Sequence, residues 1–268
     1  MSANPATAIA IELRGLSKAF RGKAVLRALD LDVRAGETFT ILGGSGTGKS
    51  VCLKHVLGLL RADAGRVRVF GRDVTHLSED ALVDVRKDFG MVFQGAALFD
   101  SLSVFDNVAF PLREHLALDD AELAARVGRC LAAVGLTGIE GLLPAELSGG
   151  MRKRVGVARA IALEPKAILY DEPTTGLDPA NARRIGRLIR RLQERLGVTS
   201  VVVTHDLDLC FAVSDRVGLL KNGRIVVEGG AEEIRASSHP DVRAFLGGIQ
   251  DEGSELDRTP ERGDEDGP

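Results

Sequence analysis

Residues 38–50 read Thr38-Phe39-Thr40-Ile41-Leu42-Gly43-Gly44-Ser45-Gly46-Thr47-Gly48-Lys49-Ser50. Thr38–Leu42 is a short buried-strand pattern. Gly43–Ser50 completes G-x-x-x-x-G-K-S, and a helical stretch from Lys49 to about Leu60 follows, carrying Val51, His55, Val56, Leu59 and Leu60. A strand that turns through glycines into a helix is the context that gives this pattern its meaning. Gly43, Gly44, Gly46 and Gly48, with Ser45 and Thr47 between them, let main-chain N–H groups face a phosphate without side-chain obstruction. The helix N-terminus adds its partial positive charge. Lys49 reaches β- and γ-phosphates, and Ser50 places a hydroxyl on Mg²⁺. An α/β fold built around a phosphate-binding loop is therefore expected.

Working outward, Ala167-Ile168-Leu169-Tyr170-Asp171-Glu172 runs four apolar residues into two acids. That puts both carboxylates at the carboxyl end of a buried strand, where doubly wound sheets bind ligands. Asp171 can hold Mg²⁺ through its shell, and Glu172 can polarise an attacking water. A third strand, Val198–Thr204, ends in His205 at the same expected edge. A neutral imidazole there can contact a γ-phosphate and hold Glu172 and water in register. His55, His76, His115 and His239 have no such setting.

The 268 residues suit one large domain, 44% hydrophobic and 27% charged, as in an ordinary globular protein. Mean hydropathy is +0.05. No run of about 18 apolar residues is present, so no membrane-spanning segment is expected. Met1–Ala10 lacks the basic region and apolar core of a secretory signal. Residues 251–268 carry a charge of −6 and residues 1–250 one of +3, a balance unlike that of a nucleic-acid binder. Cys52, Cys130 and Cys210 are odd in number and far apart, which argues against a disulfide scaffold or a metal site and for a reducing cytoplasmic compartment.

Alternating residues predict mostly antiparallel strands over 8–42, and Asn222-Gly223 between apolar runs predicts a hairpin. Asp178-Pro179 reads as an N-cap with proline at the first helical position, opening a helix closed by Gly197. Ile185, Leu188, Ile189, Leu192 and Leu196 mark its buried face, and Arg184, Arg187, Arg191 and Arg195 its solvated one. Residues 9–248 are expected to form the domain, with a helical lobe at about 95–164, and residues 249–268 an acidic, disordered tail.

Leu147-Ser148-Gly149-Gly150-Met151 precedes Arg152-Lys153-Arg154 and a helix. Ser148 reads as an N-cap, and Gly149 and Gly150 open the backbone at a second anion-binding helix end. One phosphate loop and two phosphate-facing helix ends suggest a sandwich in which each end serves a nucleotide held by another subunit.

These residues resemble the ATP-binding cassette ATPases. Leu147–Met151 is similar to that family's signature, whose last position is more often Gln. Asp171-Glu172-Pro173-Thr174-Thr175-Gly176-Leu177-Asp178-Pro179 is similar to its Walker B and D-loop run. Gln94 resembles the Q-loop glutamine, a ligand of the metal as well as a catalytic residue. His205 resembles the H-loop switch, and Phe20 falls where the family stacks an aromatic ring on adenine. The resemblance implies ATP and Mg²⁺ as ligands, with Asp178 and the signature joining Gly43–Ser50 around ATP. It also implies a phosphate-loop NTPase fold with a mixed, mainly parallel sheet core, an N-terminal antiparallel subdomain and a helical lobe.

Within the family, Phe93–Glu114, Pro144-Ala145-Glu146 and Val242–Gly247 resemble the ATPase subunit of Mla-type (MCE-associated) lipid transporters. That resemblance implies phospholipid traffic between bacterial membranes by a homodimeric engine, peripheral on the inner membrane. Its partners would be a transmembrane permease, an MCE substrate-binding protein and a small STAS-type subunit. The competing readings are the ATPase of a polar small-molecule importer, such as one for amino acids, and a non-transport cassette ATPase of DNA repair or translation. The latter types carry long coiled coils or two cassettes, and this chain has a single phosphate loop. Leu98–Leu112 is the expected permease-facing segment, with Phe99 and Leu102 exposed.

Overall fold

The computed structural model describes residues 8–255. Strands β1 (Ile9–Phe20) and β2 (Lys23–Arg34) pair antiparallel, and β1 also pairs with β4 (Ala64–Val69), which carries the two-residue β5 (Arg72–Asp73). This is the expected antiparallel subdomain. Its alternating inner residues, Ile11, Leu13, Leu29, Leu31 and Val33, are buried.

The second sheet has six strands in the order β10-β9-β3-β8-β7-β6. They are β3 (Thr38–Leu42), β6 (Phe89–Val92), β7 (Ala167–Asp171), β8 (Thr199–Thr204), β9 (Arg216–Lys221) and β10 (Arg224–Gly230). All neighbours are parallel except β9 and β10. Every residue of β3 and β8 is buried, the polar Thr38, Thr40, Thr199, Ser200 and Thr204 included, as parallel strands covered on both faces are. Asn222 and Gly223 turn the β9–β10 hairpin with φ of 52° and 78°, the two positive angles of a twist-matched two-residue turn.

Helix α1 (Lys49–Val56) leaves β3. It stops short of Leu60 because Gly58 takes φ +64° and its N–H turns back to the His55 carbonyl. The Ser78 hydroxyl caps α2 (Glu79–Lys87). The lobe comprises α3 (Val104–His115), α4 (Asp120–Ala133) and α5 (Gly149–Ala160). Val104, Val108, Leu112, Val127, Leu131 and Val155 pack in its core. Phe99 is 44% exposed, as expected, but Leu102 is half-buried. Its carbonyl accepts from Asn107, which draws the turn inward. Phe110 is the exposed partner instead, with its ring 4.9 Å from that of Phe99.

Helix α6 (Pro179–Leu196) buries Ile185, Leu188, Ile189 and Leu192, leaves its arginine stripe exposed, and ends at Gly197 in the left-handed region. Leu196, expected on the buried face, is 52% exposed, since it closes the last turn where the chain leaves the helix. The chain closes with α7 (Leu207–Val213), α8 (Ala231–Ala236) and α9 (Pro240–Glu255). The helix α9 thus runs into the stretch read as the tail, whose remainder from residue 256 lies outside the described residues. Cys52, Cys130 and Cys210 are buried and free.

Candidate functional site

The register of three neighbouring strands builds the site. Leu42 of β3 lies opposite Thr204 of β8, and Val203 lies opposite Asp171 of β7. The loop after Leu42, the acids after Tyr170 and His205 therefore emerge side by side, at the sheet edge where such folds bind ligands.

Gly48 caps α1 with φ 105°, and Gly46 takes φ 73°. A Cβ on Gly43 would lie 2.7 Å from the Leu220 carbonyl oxygen, so only glycine fits there. Lys49 is 5% exposed and lies back along the loop. Its Nζ donates to the Gly43 carbonyl at 2.7 Å and the Gly44 carbonyl at 2.9 Å, and pairs with Glu172 Oε1 at 3.2 Å. Next to it on α1, Ser50 Oγ donates to Asp171 Oδ1 at 2.7 Å. A hydroxyl and a carboxylate side by side form a hard-oxygen pair of the kind that suits Mg²⁺, which characteristically takes one or two protein oxygens and completes its shell with water and substrate phosphate.

Glu172 is 9% exposed and has φ +47°, rare for a residue with a Cβ. Its Oε2 meets His205 Nδ1 at 3.0 Å and accepts from Thr204 Oγ1 at 3.3 Å. Lys49, Ser50, Asp171, Glu172 and His205 are thus brought into one contiguous set.

Ser148, Gly149, Gly150, Asp178, Phe20 and Gln94, also singled out in the sequence, make no hydrogen bond to that set among the described residues. The Ser148 hydroxyl accepts the Met151 N–H at 3.2 Å and caps α5. Gly149 and Gly150 face the start of α6, where a Cβ on Gly150 would come within 2.8 Å of Asn181 Oδ1. Asp178 accepts the Ala180 and Asn181 N–H groups at 3.0 Å. The Asn181 main-chain and side-chain N–H groups hold its carboxyl below the usual range. No hydrogen bond joins Ser148–Gly150 to residues 43–50 among the described residues. Phe20 is 41% exposed, with Lys18 Nζ 5.6 Å from the centre of its ring. The Gln94 side chain is exposed, and its main-chain carbonyl accepts from Lys153 Nζ.

Lys153 is a residue that the sequence reading missed. It stands between two arginines in Arg152-Lys153-Arg154, and it is 6% exposed. Burial lowers its pKa, and the nearby charges of Glu172 and Asp171 oppose that fall. Thr204 and Thr174 were missed as well, being ordinary residues of a strand and a turn until the fold pairs them.

Comparison with known proteins agrees with this geometry. The family model for ABC transporters matches residues 26–175. The chain is 41% identical over 241 residues to the intermembrane phospholipid transport system ATP-binding proteins MlaF of Haemophilus influenzae and Escherichia coli, covering 90% of this chain and 91% and 90% of theirs. It is 42% identical over 240 residues to the probable ribonucleotide transport ATP-binding protein mkl of Mycobacterium leprae, covering 90% of this chain and 69% of that one. Among solved structures, a dimeric ATP-binding cassette in a post-hydrolysis state, bound to ADP and Pi, superposes with a TM-score of 0.77 at 33% identity, over 82% of this chain and 98% of that one. With the sheet edge, the phosphate loop and both acids in one arrangement, this chain belongs to the ABC transporter family, as an ATP-hydrolysing cassette.

Proposed function

We propose that this chain powers phospholipid transport between bacterial membranes, as one of two cassettes beneath a transmembrane permease. The observation that carries the catalytic reading is Glu172, held between Lys49 at 3.2 Å and His205 at 3.0 Å. Lys49 supplies a point charge to the terminal phosphates of ATP. The Glu172 carboxylate takes a proton from the attacking water, and His205 holds that carboxylate in place. Ser50 and Asp171, with Gln94, would hold Mg²⁺, which when bound spreads the negative charge of the phosphates. Phe20 stacks on the adenine base. Ser148, Gly149, Gly150 and Asp178 complete the site of a second copy, a reading supported by the lack of any hydrogen bond from them to residues 43–50 among the described residues and by the dimeric relative.

Among the described residues no helix is long and apolar enough to cross a membrane, so coupling needs a partner. The exposed Phe93, Phe99 and Phe110, beside Arg159, form the apolar patch that suits a permease segment. An MCE substrate-binding protein and a STAS-type subunit belong to this reading, as does a peripheral position on the cytoplasmic side of the inner membrane.

The phospholipid assignment is favoured by matches that span nine-tenths of both chains. The name of the mycobacterial relative supports a second reading, transport of a ribonucleotide. Reconstitution of the whole transporter in liposomes separates the two. ATP should drive transfer of labelled phospholipid, and E172Q should slow both ATP hydrolysis and transfer by roughly 10²–10⁴-fold. Uptake of labelled ribonucleotide with no phospholipid movement would reverse the cargo assignment and leave the engine intact.

A further inference from the structure

The turn that follows Glu172 is tied to the start of α7. Thr174 is 6% exposed, and its Oγ1 donates to Asp206 Oδ2 at 2.9 Å. The other oxygen of that carboxylate, Oδ1, accepts the Leu209 N–H at 3.0 Å and caps α7. The Asp206 N–H donates to Thr204 Oγ1 at 3.0 Å, and the same hydroxyl donates to Glu172 Oε2 at 3.3 Å. The connections close a ring from Glu172 along the chain to Thr174, across to Asp206, and back through Thr204 to Glu172.

Such a ring answers a physical need. Glu172 sits at φ +47°, a conformation that is strained outside glycine and persists only where the surroundings over-determine it. The Glu172 N–H is held by the Val203 carbonyl at 2.9 Å, which fixes the strand side of the residue. On the far side the chain enters a turn, and Thr174 is where that turn is fastened. Its anchor is rigid, because α7 is packed through Leu209 and Cys210, 4% and 0% exposed. A carboxylate that accepts a hydroxyl proton makes a stronger bond than a neutral acceptor does.

We propose that Thr174 and Asp206 form a positioning latch for Glu172. Neither side chain is hydrogen-bonded to residues 43–50 among the described residues. They fix the backbone and the Thr204 hydroxyl that aim the Glu172 carboxylate, and so set the turnover rate and leave nucleotide affinity unchanged. The proposal rests on Glu172 being the base for water.

The test uses the full chain assembled with its permease, and measures kcat, KM for ATP and the melting temperature. T174V removes the hydroxyl and keeps the shape. It should lower kcat by about 10–100-fold, the size expected of a misplaced catalytic group, with KM within about twofold of wild type. T174S keeps the hydroxyl and should restore kcat to within about threefold. In single turnover, T174V added to E172Q should cost less than about a further twofold, since both changes act on one group. Should T174V fail to fold, D206N retains an oxygen for the Leu209 N–H and should lose about 3–10-fold in kcat by weakening the Thr174 bond. Wild-type turnover in T174V, or a full additive loss on top of E172Q, would overturn the latch alone. Wild-type turnover in E172Q would overturn the assignment of Glu172 and the latch with it.

Discussion

Lys49 spends all three of its ammonium protons inside the protein. Two go to the Gly43 and Gly44 carbonyls, and the third faces Glu172 at 3.2 Å. With side chains 6% and 11% exposed, Lys49 and Glu172 form a nearly buried ion pair. On the proposed reading, a terminal phosphate would compete with Glu172 for the ammonium, which would link binding and release of the base at one atom. Lys49→Ala would remove the proposed phosphate contact and the ammonium that pairs with Glu172. Affinity for ATP with Mg²⁺, measured by calorimetry, should fall about 10–100-fold, the worth of one charge-assisted hydrogen bond. Unchanged affinity would remove Lys49 from the phosphate site. Arginine is a poor substitute, since its planar fork does not match two carbonyls of one tight loop.

Among the elements, the second half of the turn between β6 and α3, from Phe99 to Ser103, is organised by one buried amide. Asn107 is 0% exposed. Its Oδ1 accepts the Phe99 N–H at 2.8 Å, and its Nδ2 faces the carbonyls of Phe99, Leu102 and Ser103 at 3.1, 3.0 and 3.0 Å. One side chain thus shapes the turn that presents Phe99. Asn107→Leu keeps the volume but leaves the Phe99 N–H and the Leu102 carbonyl without their partner, a loss of about 2–4 kcal/mol. The melting temperature should fall by roughly 5–15 °C. A shift of less than a degree or two would mean that the turn is held without the Asn107 amide.

At the scale of the whole molecule, the phosphate loop and the Ser148 helix start have no hydrogen bond between them among the described residues, which motivates action in trans. Mixing K49A chains with S148R chains gives heterodimers that separate the alternatives. If the Ser148 end serves the opposite copy, one site carries both lesions and the other is intact in its residues. If it serves its own copy, neither site is intact. Nucleotide trapping in a doubly tagged heterodimer should recover ATP at one site. Recovery at neither would sink the sandwich arrangement.

The amino-acid sequence alone determined the features written within a few neighbouring residues. The glycines and Lys49 of the phosphate loop, the acids ending an apolar strand, the Asn222-Gly223 hairpin and the two faces of α6 could all be read. In each, the physics is local: φ angles, helix ends and periodicity. Tertiary structure decided what depends on residues remote in the chain. Lys153 is buried because the Gln94 carbonyl, 59 residues away, receives its ammonium. Thr174 finds Asp206 across 32 residues only after β7 and β8 lie side by side. Leu102 is turned inward by Asn107, while Phe99 and Phe110 meet at the surface. A pattern of residue types records how strongly a side chain favours burial, and the packing of distant elements determines which side chains obtain it and against what partner.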